Sequence, residues 1–328
     1  MRLTRKSGGA KLGEGSKGIV YDINSPDGVS FYSIIKSRAE IITKIMLYSP
    51  DNKHLIGKKD IPSFINYIHT TKNAVAKIIK TRKQTGKISP FKIQNDDEVR
   101  SNNKIIQKFG KYSKKYLTIY PDLIFKDVSF IACKIYYNTN KIPDYVIFGD
   151  KCGLIEKVNI DILIVDILEC LKFTENKTIL HNDIKPDNIM YCNGRYKLID
   201  WGNATFGDSM RGGTFMGPLK KYISGFSLQE AYDDIPFKVK KLYPHLYKSQ
   251  AFKDLHNKIV DEFKILNNDR ESLKNNYKGN HDLFSFGFTI LEIVVREQLD
   301  YTKYKGLIML LTSYLKPVSA TNVFDSIF

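Results

Sequence analysis

The sequence predicts an α+β protein with two lobes: a small antiparallel β-sheet that carries one main helix, followed by a mainly helical lobe. Strand-forming residues are concentrated before residue 149, whereas residues 155–172 show helical spacing of Ile, Leu and Val. A glycine-containing stretch, 149–153, separates these two patterns. We therefore expect an N-terminal lobe over residues 1–148 and a C-terminal lobe over residues 149–328.

The N-terminal lobe is expected to contain four strand regions, one helix and one insertion. Residues 10–21 predict a strand, a glycine turn and a second strand, and the insertion covers about 24–72. Ala74–Ile79 predicts a further strand, Ser89-Pro90 the start of the helix, and residues 128–136 and 145–148 the last two strands. In the C-terminal lobe, the region after Pro218 is mainly helical in pattern and includes a second insertion at about 220–278.

The composition indicates a globular chain with a basic surface. The 328 residues are 42% hydrophobic, which is enough apolar material for a core in each lobe. The formal net charge of +16 favours acidic partners, such as nucleic acid, an anionic membrane or acidic proteins. The alternative is a solvated surface, because no run reaches five basic residues. Direct nucleic-acid binding is therefore left open.

The cysteines and the apolar segments indicate an intracellular, cytoplasmic protein. The four cysteines lie far apart, without a C-x-x-C pair or a histidine at ligand spacing, so neither a zinc site nor a disulfide framework is indicated. The basic N-terminus lacks the apolar stretch of a signal peptide. Acidic residues interrupt the most apolar segment, Ile160–Leu171, so no transmembrane segment is predicted.

The segment Gly13–Val20 reads G-x-G-x-x-G-x-V, with glycines at Gly13, Gly15 and Gly18. Glycine lets a backbone fold tightly over phosphate oxygens that a Cβ atom would displace. Because strand-forming residues follow the glycines directly, a dinucleotide site is disfavoured. Taken alone, the segment leaves a phosphate-binding loop and an ordinary glycine-rich turn equally open.

Lys77 closes the apolar segment Ala74-Val75-Ala76 and is placed to reach the phosphates of a nucleotide. Most lysines are surface residues, so this assignment depends on the neighbouring motifs. An acid on the following helix must hold the lysine in position. We assign Glu98 to this role, with Asp97 and Asp96 as alternatives.

The strongest pattern is His181–Asn188, HNDIKPDN, followed by Lys197–Gly202, KLIDWG. Phosphoryl transfer to a hydroxyl needs a carboxylate at the nucleophile, oxygen ligands for Mg²⁺ and a cation at the transferring charge. One short loop supplies Asp183, Lys185 and Asn188, and the next turn supplies Asp200. A polar turn before an unrelated strand would need all these spacings by accident. The pattern therefore predicts a phosphoryl-transfer site.

Together these motifs resemble the eukaryotic-type protein kinase family over nearly the whole chain. Residues 213–218 are similar to the end of its activation segment, residues 282–287 to its D-x-W-S-x-G helix start, and residues 316–328 to its closing helix. The resemblance implies a two-lobed protein-kinase-like fold with the nucleotide in a cleft between the lobes. It also implies ATP and Mg²⁺, with Mn²⁺ as an alternative ion. The implied residues are Asp183 as catalytic base with Lys185, Asn188 and Asp200 as metal ligands, and Gly13, Gly15, Gly18, Val20, Lys77 and Glu98 at the nucleotide.

Departures from the family pattern refine the expected activity. Lys185 is the Ser/Thr pattern, with Thr214 as its expected partner, which predicts transfer of the ATP γ-phosphate to Ser and Thr hydroxyls of protein substrates. Asn182 replaces the arginine that normally binds a phosphate on the activation segment, so we expect activity without activation-loop phosphorylation. Leu219 replaces the A-P-E glutamate, and its usual arginine partner is missing around 316–320. Removing one partner of a buried ion pair leaves an unpaired charge, whereas removing both can be nearly neutral. The absence of both the glutamate and the arginine is therefore interpreted as a compensated change.

Two other functions are weighed against this one. The first is a small-molecule phosphotransferase of the same fold, resembling the aminoglycoside and choline kinases, because Trp201 follows Asp200 as it often does in that family. The second is a catalytically inactive nucleotide-binding scaffold. The presence of Lys77, Asp183, Asn188 and Asp200 argues against the scaffold.

The second insertion, rich in aromatic and charged residues, is interpreted either as a protein-docking face or as a helical addition without a binding role. Insertions in both lobes and an Ile-, Lys- and Asn-rich composition resemble kinases of large DNA viruses. That resemblance implies the host cytoplasm or the virion as the location. It also implies virion or nucleic-acid-associated proteins as substrates.

Overall fold

A computed structural model of the chain describes residues 10–14, 18–22, 74–79, 96–126, 145–150, 152, 158–207, 228–266, 270–313, 315 and 318–327. The chain divides into two compact units, Met1–Cys152 and Gly153–Phe328. The predicted insertion at about 24–72, the helix start at Ser89-Pro90 and the strand predicted for 128–136 lie outside the described residues. The positions of both predicted insertions stay predictions.

Unit 1 contains a five-stranded antiparallel sheet with the spatial order β1-β2-β3-β5-β4. Its strands are β1 (Ala10–Glu14), β2 (Gly18–Asp22), β3 (Ala74–Ile79), β4 (Ile119–Lys126) and β5 (Tyr145–Asp150). Between β4 and β3 in the chain lie α1 (Asp96–Phe109) and the short α2 (Ser113–Tyr116). The prediction of a small antiparallel sheet with one main helix is therefore confirmed for the described residues.

Strand β4 was not predicted, and its position explains why. It contains Pro121 and Asp122, and proline in a strand lacks the N–H that a central ladder requires. The sheet order places β4 at an edge, where proline is tolerated. The pairing of β4 with β5 also shifts register between Ile119 and Ile124, which is the part of the strand that contains the proline.

Helix α1 buries the face formed by Ser101, Asn102, Ile105, Ile106 and Phe109. These spacings follow the 3.6-residue period of an amphipathic helix. The Phe109 ring meets Tyr116 of α2 edge to face, with ring centroids 6.0 Å apart. This apolar contact fixes the short connection from α1 to the edge strand β4.

Unit 2 is mainly helical, as predicted, and its described residues include two small two-stranded sheets. Its helices are α3 (Ile160–Asn176), α4 (Leu228–Leu242), α5 (Pro244–Lys248), α6 (Gln250–Leu266), α7 (Arg270–Arg296), α8 (Tyr301–Leu311) and α9 (Ala320–Ile327). Strand β6 (Ile179–Leu180) pairs with β9 (Thr205–Phe206), and β7 (Ile189–Cys192) pairs with β8 (Arg195–Leu198). No helix in the described ranges combines the length and apolar character needed to cross a membrane.

The core of unit 2 is centred on α7. Every residue from 281 to 294 in this helix is buried, including Phe284, Phe286 and Phe288. A helical stretch that is buried on all sides must be surrounded by other elements, and α7 packs against α3, α5, α6 and α8. The expected helix start at Asp282 is wrong, because α7 already begins at Arg270. The helix therefore extends into the region predicted as an insertion.

The cysteines give a second correction. No disulfide was indicated by their sequence spacing, yet Cys152 and Cys192 are both disulfide-bonded. Sequence spacing reveals only motifs of neighbouring residues, so it carried no signal for these two positions. Cys170 is a free, buried thiol, and burial raises its pKa far above the ordinary value. Its thiol is therefore unreactive in the folded protein.

Candidate active site

The catalytic loop, defined as His181–Asn188, is attached at its start to α7. The buried carboxylate of Asp282 accepts a hydrogen bond of 2.6 Å from the backbone N–H of His181 and one of 2.9 Å from the backbone N–H of Asn182. Hydrogen bonds to an ionised acceptor are stronger than neutral ones. The buried part of α7 thus sets the position of the loop backbone.

His181 connects the catalytic loop to the segment that contains Asp200. Its Nε2 lies 3.0 Å from the carbonyl oxygen of Ile199, while its Nδ1 accepts from the backbone N–H of Asp183 at 3.3 Å. Both contacts agree on the neutral tautomer with the proton on Nε2. The His181 ring also meets the buried Trp201 ring at 4.5 Å between centroids.

Trp201 has a structural explanation in this position. Its side chain is only 1% exposed, and its Nε1–H donates to the carbonyl oxygen of Leu198 at 3.1 Å. A buried indole needs such an acceptor for its N–H. Trp201 was the residue that suggested a small-molecule phosphotransferase. Its presence is explained by packing and by this hydrogen bond.

Asp183, Lys185 and Asn188 converge within the loop, as the sequence pattern suggested. The Lys185 ammonium and the Asn188 amide both donate to Oδ2 of Asp183, at 3.0 and 3.1 Å. The same amide also donates to the Asp183 carbonyl oxygen at 2.8 Å. Asp183 is 8% exposed, so its carboxylate is held by two donors in a largely buried position. This arrangement places a carboxylate and an ammonium group side by side.

Asn188 and the segment before Asp200 are joined through their backbones. The backbone N–H of Ile199 donates to the Asn188 carbonyl oxygen at 2.9 Å, at the open end of the β7–β8 hairpin. The amide nitrogen of Asn188 is used in the bonds to Asp183, so its side-chain oxygen is the group oriented for a further ligand. Amide and carboxylate oxygens are the ligands that Mg²⁺ prefers, so the donor set of Asn188 and Asp200 fits this ion.

Asp200 and Asn182 both adopt positive φ angles, of 60° and 64°. Aspartate and asparagine tolerate this left-handed region better than other residues with a side chain. Such backbone conformations are concentrated at functional sites. Asp200 leads directly into the short helical turn Trp201–Asn203, so the left-handed residue is where the chain changes direction.

Asn182 is fully buried and bonded on the side facing β9. Its Nδ2 donates to the carbonyl oxygens of Leu180 and Asn203, at 3.3 and 3.0 Å, and to the Thr205 hydroxyl at 2.9 Å. A neutral amide therefore occupies the position where the family pattern has an arginine. Thr214, the expected partner of Lys185, and Leu219, which replaces the A-P-E glutamate, lie outside the described residues.

In unit 1, the predicted nucleotide residues are brought together by strand register. Val20 of β2 lies opposite Lys77 of β3, and Gly13 of β1 lies opposite Val20. Gly15 lies outside the described residues, and Gly18 begins β2. Glu98 lies in the first turn of α1, as expected for the helix acid. The pairing of Lys77 with Glu98, Asp97 or Asp96 stays a prediction.

Two residues of the site were not assigned a role from the sequence. Asp282 was recognised only as part of a motif, and its two bonds to the loop backbone depend on tertiary structure. Tyr243 was missed entirely. Its hydroxyl donates to Oδ2 of Asp187 in the catalytic loop at 3.0 Å. An aromatic residue in a region predicted as an insertion gives no periodic or motif signal for such a contact.

Comparison with known proteins identifies the family. The model described as the protein kinase domain matches residues 52–222, just over half of the chain. The matched range contains Lys77, the catalytic loop and Asp200. The chain therefore belongs to the protein kinase family.

Curated relatives are similar over shorter segments. Aurora kinase A-B of Xenopus laevis is 30% identical over 91 residues, covering 27% of this chain and 22% of the relative. Mitogen-activated protein kinase kinase mkk1 of Cytospora mali is 47% identical over 53 residues, covering 16% and 10%. Probable serine/threonine protein kinase IRE4 of Arabidopsis thaliana is 29% identical over 147 residues, covering 42% and 14%. The chain thus spans less than a quarter of the length of each of these relatives.

Proposed function

We propose that this protein kinase transfers the γ-phosphate of ATP to Ser and Thr hydroxyls of protein substrates. The observation that carries the proposal is the convergence of the Lys185 ammonium and the Asn188 amide on one oxygen of Asp183. The site combines a base, a cation and an oxygen ligand within one loop. Similarity to a probable serine/threonine protein kinase of Arabidopsis thaliana supports the Ser/Thr preference.

The proposed reaction assigns one task to each side chain. The Asp183 carboxylate accepts the proton of the substrate hydroxyl while the hydroxyl oxygen forms a bond to the γ-phosphorus of ATP. The bond between the γ-phosphorus and the β-phosphate oxygen breaks, and ADP leaves. Lys185, 3.0 Å from Asp183, supplies positive charge beside the transferring group. Asn188 and Asp200 would hold Mg²⁺, with Mn²⁺ as an alternative, and the ion supplies further positive charge against the phosphate oxygens. Lys77 of β3 and the glycines of the β1–β2 hairpin would bind the nucleotide phosphates.

Independence from activation-loop phosphorylation forms part of the proposal. Asn182 has no guanidinium with which to bind a phosphate. Its amide instead donates to Asn203 and Thr205, so neutral hydrogen bonds hold the beginning of the segment that follows Asp200. We expect protein treated with a phosphatase to retain full activity. Inert dephosphorylated protein that recovers only after phosphorylation between residues 203 and 215 would contradict this part.

The proposal is tested with ATP and a mixture of generic Ser/Thr protein substrates. Wild type should transfer phosphate, and Asp183→Asn and Asp200→Ala should lower the rate by about 10²–10⁴-fold. Asp261→Asn is the control, because Asp261 is an exposed carboxylate on α6 paired with Lys264. Equal transfer by all four proteins would exclude the mechanism. Transfer to aminoglycosides or choline, but not to protein, would favour the small-molecule alternative.

The biological setting stays a prediction. The resemblance to kinases of large DNA viruses implies virion or nucleic-acid-associated substrates in the host cytoplasm or the virion. The net charge of +16 supports an acidic partner, as it did at the level of sequence. Phosphorylation assays that compare acidic with basic protein substrates at increasing salt would test this preference.

A further inference from the structure

Tyr243 lies at the joint between α4 and α5, in the region predicted as the second insertion. Its backbone N–H donates to Val239 at 2.8 Å and its carbonyl oxygen accepts from Tyr247 at 3.1 Å, so the two helices meet at this residue. The side chain is 8% exposed. Its hydroxyl bonds to Asp187 at 3.0 Å, which joins the insertion directly to the catalytic loop.

Asp187 belongs to the turn Pro186–Asn188, which orients Asn188 toward Asp183. The turn is closed by the backbone bond from Asn188 N–H to the Lys185 carbonyl oxygen at 2.9 Å. Asp187 is an exposed residue, although its hydrogen bond with Tyr243 is partly buried. Because Asp187 and Asn188 are consecutive, a displacement of Asp187 also moves the amide that holds Asp183.

The α4–α5 joint is itself held against α7. His245 Nε2 lies 3.1 Å from Oε1 of Glu292, whose carboxylate is buried and also pairs with Arg296 at 3.2 Å. The same helix holds the start of the catalytic loop through Asp282. Both ends of the loop are therefore connected to α7, directly at His181 and through Tyr243 at Asp187.

The Tyr243 hydroxyl stays protonated and can therefore donate a hydrogen bond. Burial, together with the neighbouring Asp187 carboxylate, raises the pKa of Tyr243 well above its ordinary value of 10.0. The hydroxyl thus keeps its proton at every physiological pH. A hydrogen bond from a buried hydroxyl to a carboxylate is among the stronger side-chain interactions.

We propose that Tyr243 is a positioning residue for phosphoryl transfer, acting through Asp187 on the turn that orients Asn188 and Asp183. The inference rests on the proposed function, because it takes Asp183 as the base. It assigns the second insertion a task within the catalytic unit, namely support of the catalytic loop. The insertion then forms part of the catalytic machinery's scaffold.

The test compares Tyr243→Phe with Tyr247→Phe. Tyr247 provides a matched control in α5, because its ring packs near Phe252 and Lys240. We expect Tyr243→Phe to lower kcat about tenfold while the KM for ATP changes less than about twofold. Tyr247→Phe should leave both constants unchanged. Equal kcat values for wild type and Tyr243→Phe would overturn the inference.

A double-mutant cycle separates positioning from a general loss of stability. If Tyr243 acts through Asp187, adding Tyr243→Phe to Asp187→Ala should cause little further loss of kcat. Multiplicative losses in the double variant would mean that Tyr243 acts elsewhere, and would overturn the inference.

Hydrogen exchange provides a readout that does not depend on catalysis. Tyr243→Phe should accelerate hydrogen exchange of the backbone N–H of Asn188, which closes the turn, whereas Tyr247→Phe should not. Unchanged exchange would overturn the inference even in an inactive protein. If wild type transfers no phosphate, the proposed function fails, and exchange still decides separately whether Tyr243 holds the turn.

Discussion

The side-chain amide of Asn182 donates a hydrogen bond to the hydroxyl of Thr205 across 2.9 Å, and so joins the catalytic loop to β9. The same nitrogen donates to the Asn203 carbonyl oxygen at 3.0 Å. Asn182 also adopts a φ angle of 64°, which asparagine tolerates. One residue thus satisfies a backbone requirement and a hydrogen-bonding requirement at the position where the kinase pattern has arginine.

Substitution of Asn182 separates these two requirements. Asn182→Gly permits the positive φ but removes the amide, and should lower the free energy of unfolding by about 1–3 kcal/mol. Asn182→Ala removes the amide and also places a poorly suited residue in the left-handed region, which adds about 1–2 kcal/mol. Urea unfolding of both variants measures the difference. Equal stability of the two variants would show that the backbone conformation contributes nothing.

The carboxylate of Asp282 should be sensitive to replacement by an amide. Asp282→Asn places an NH₂ group against one of the backbone N–H groups of His181 and Asn182, so at least one hydrogen bond is lost. We expect a loss of about 1.5–3 kcal/mol in the free energy of unfolding, together with a reduced transfer rate. Asp300→Asn is the control, since Asn retains the acceptor with which Asp300 caps α8. A similar small effect in both variants would contradict the prediction.

Gly287 should not tolerate alanine. A Cβ atom at this position would lie 2.6 Å from Cγ2 of Thr312 and 3.1 Å from Cβ of Leu311, where α7 meets the end of α8. Gly287→Ala should therefore destabilise unit 2 by about 1–3 kcal/mol. Thermal unfolding measures this loss.

Two further variants serve as controls for the Gly287 prediction. Gly306→Ala introduces a Cβ atom with no neighbour within 4 Å and should be neutral or stabilising by up to about 1 kcal/mol. Thr312→Ser removes the clashing methyl group but retains the hydroxyl bond to Ile308, so it should restore part of the stability of Gly287→Ala. If Thr312→Ser does not restore stability, the loss in Gly287→Ala has a cause other than the contact with the Thr312 methyl group.

His256 should make stability depend on pH. Burial holds the pKa of His256 below its ordinary value of 6.5, although the nearby Asp233 carboxylate acts in the opposite direction. The unfolded chain therefore takes up a proton at a higher pH than the folded protein. As the pH falls below 6.5, toward the folded-state pKa, the free energy of unfolding should decrease.

The His256 prediction is checked with His256→Gln. The variant should lose less stability than wild type between about pH 7.5 and about pH 5.5, as measured by urea unfolding at each pH. Parallel losses in both proteins would assign the pH dependence to other groups.

The sequence predicted those parts of the molecule where chemistry demands particular residues at short spacing. Asp183, Lys185 and Asn188 lie within one loop, so their convergence follows from local geometry once the loop forms. The hairpin of β1 and β2 was likewise predicted, because its glycines and strand-forming residues are adjacent. Both features could be predicted because the residues that form them are close together in the sequence.

The features that were missed depend on long-range packing. Proline disfavours a strand at Pro121, and the edge position of β4, which depends on the tertiary fold, makes the proline acceptable. The contact between Tyr243 and Asp187 joins residues far apart in the chain. The start of α7 at Arg270 was also missed, because the residues between Arg270 and Asp282 do not form the apolar stripe that would indicate an amphipathic helix.

The attachment of the catalytic loop to α7 affects how the protein unfolds on heating. Local opening of a protein begins where few apolar groups are buried, and the buried stretch 281–294 of α7 opens only in the global transition. The loop should therefore keep its shape until unit 2 melts as a whole. Thermal inactivation and the loss of helical circular dichroism should then occur at the same temperature.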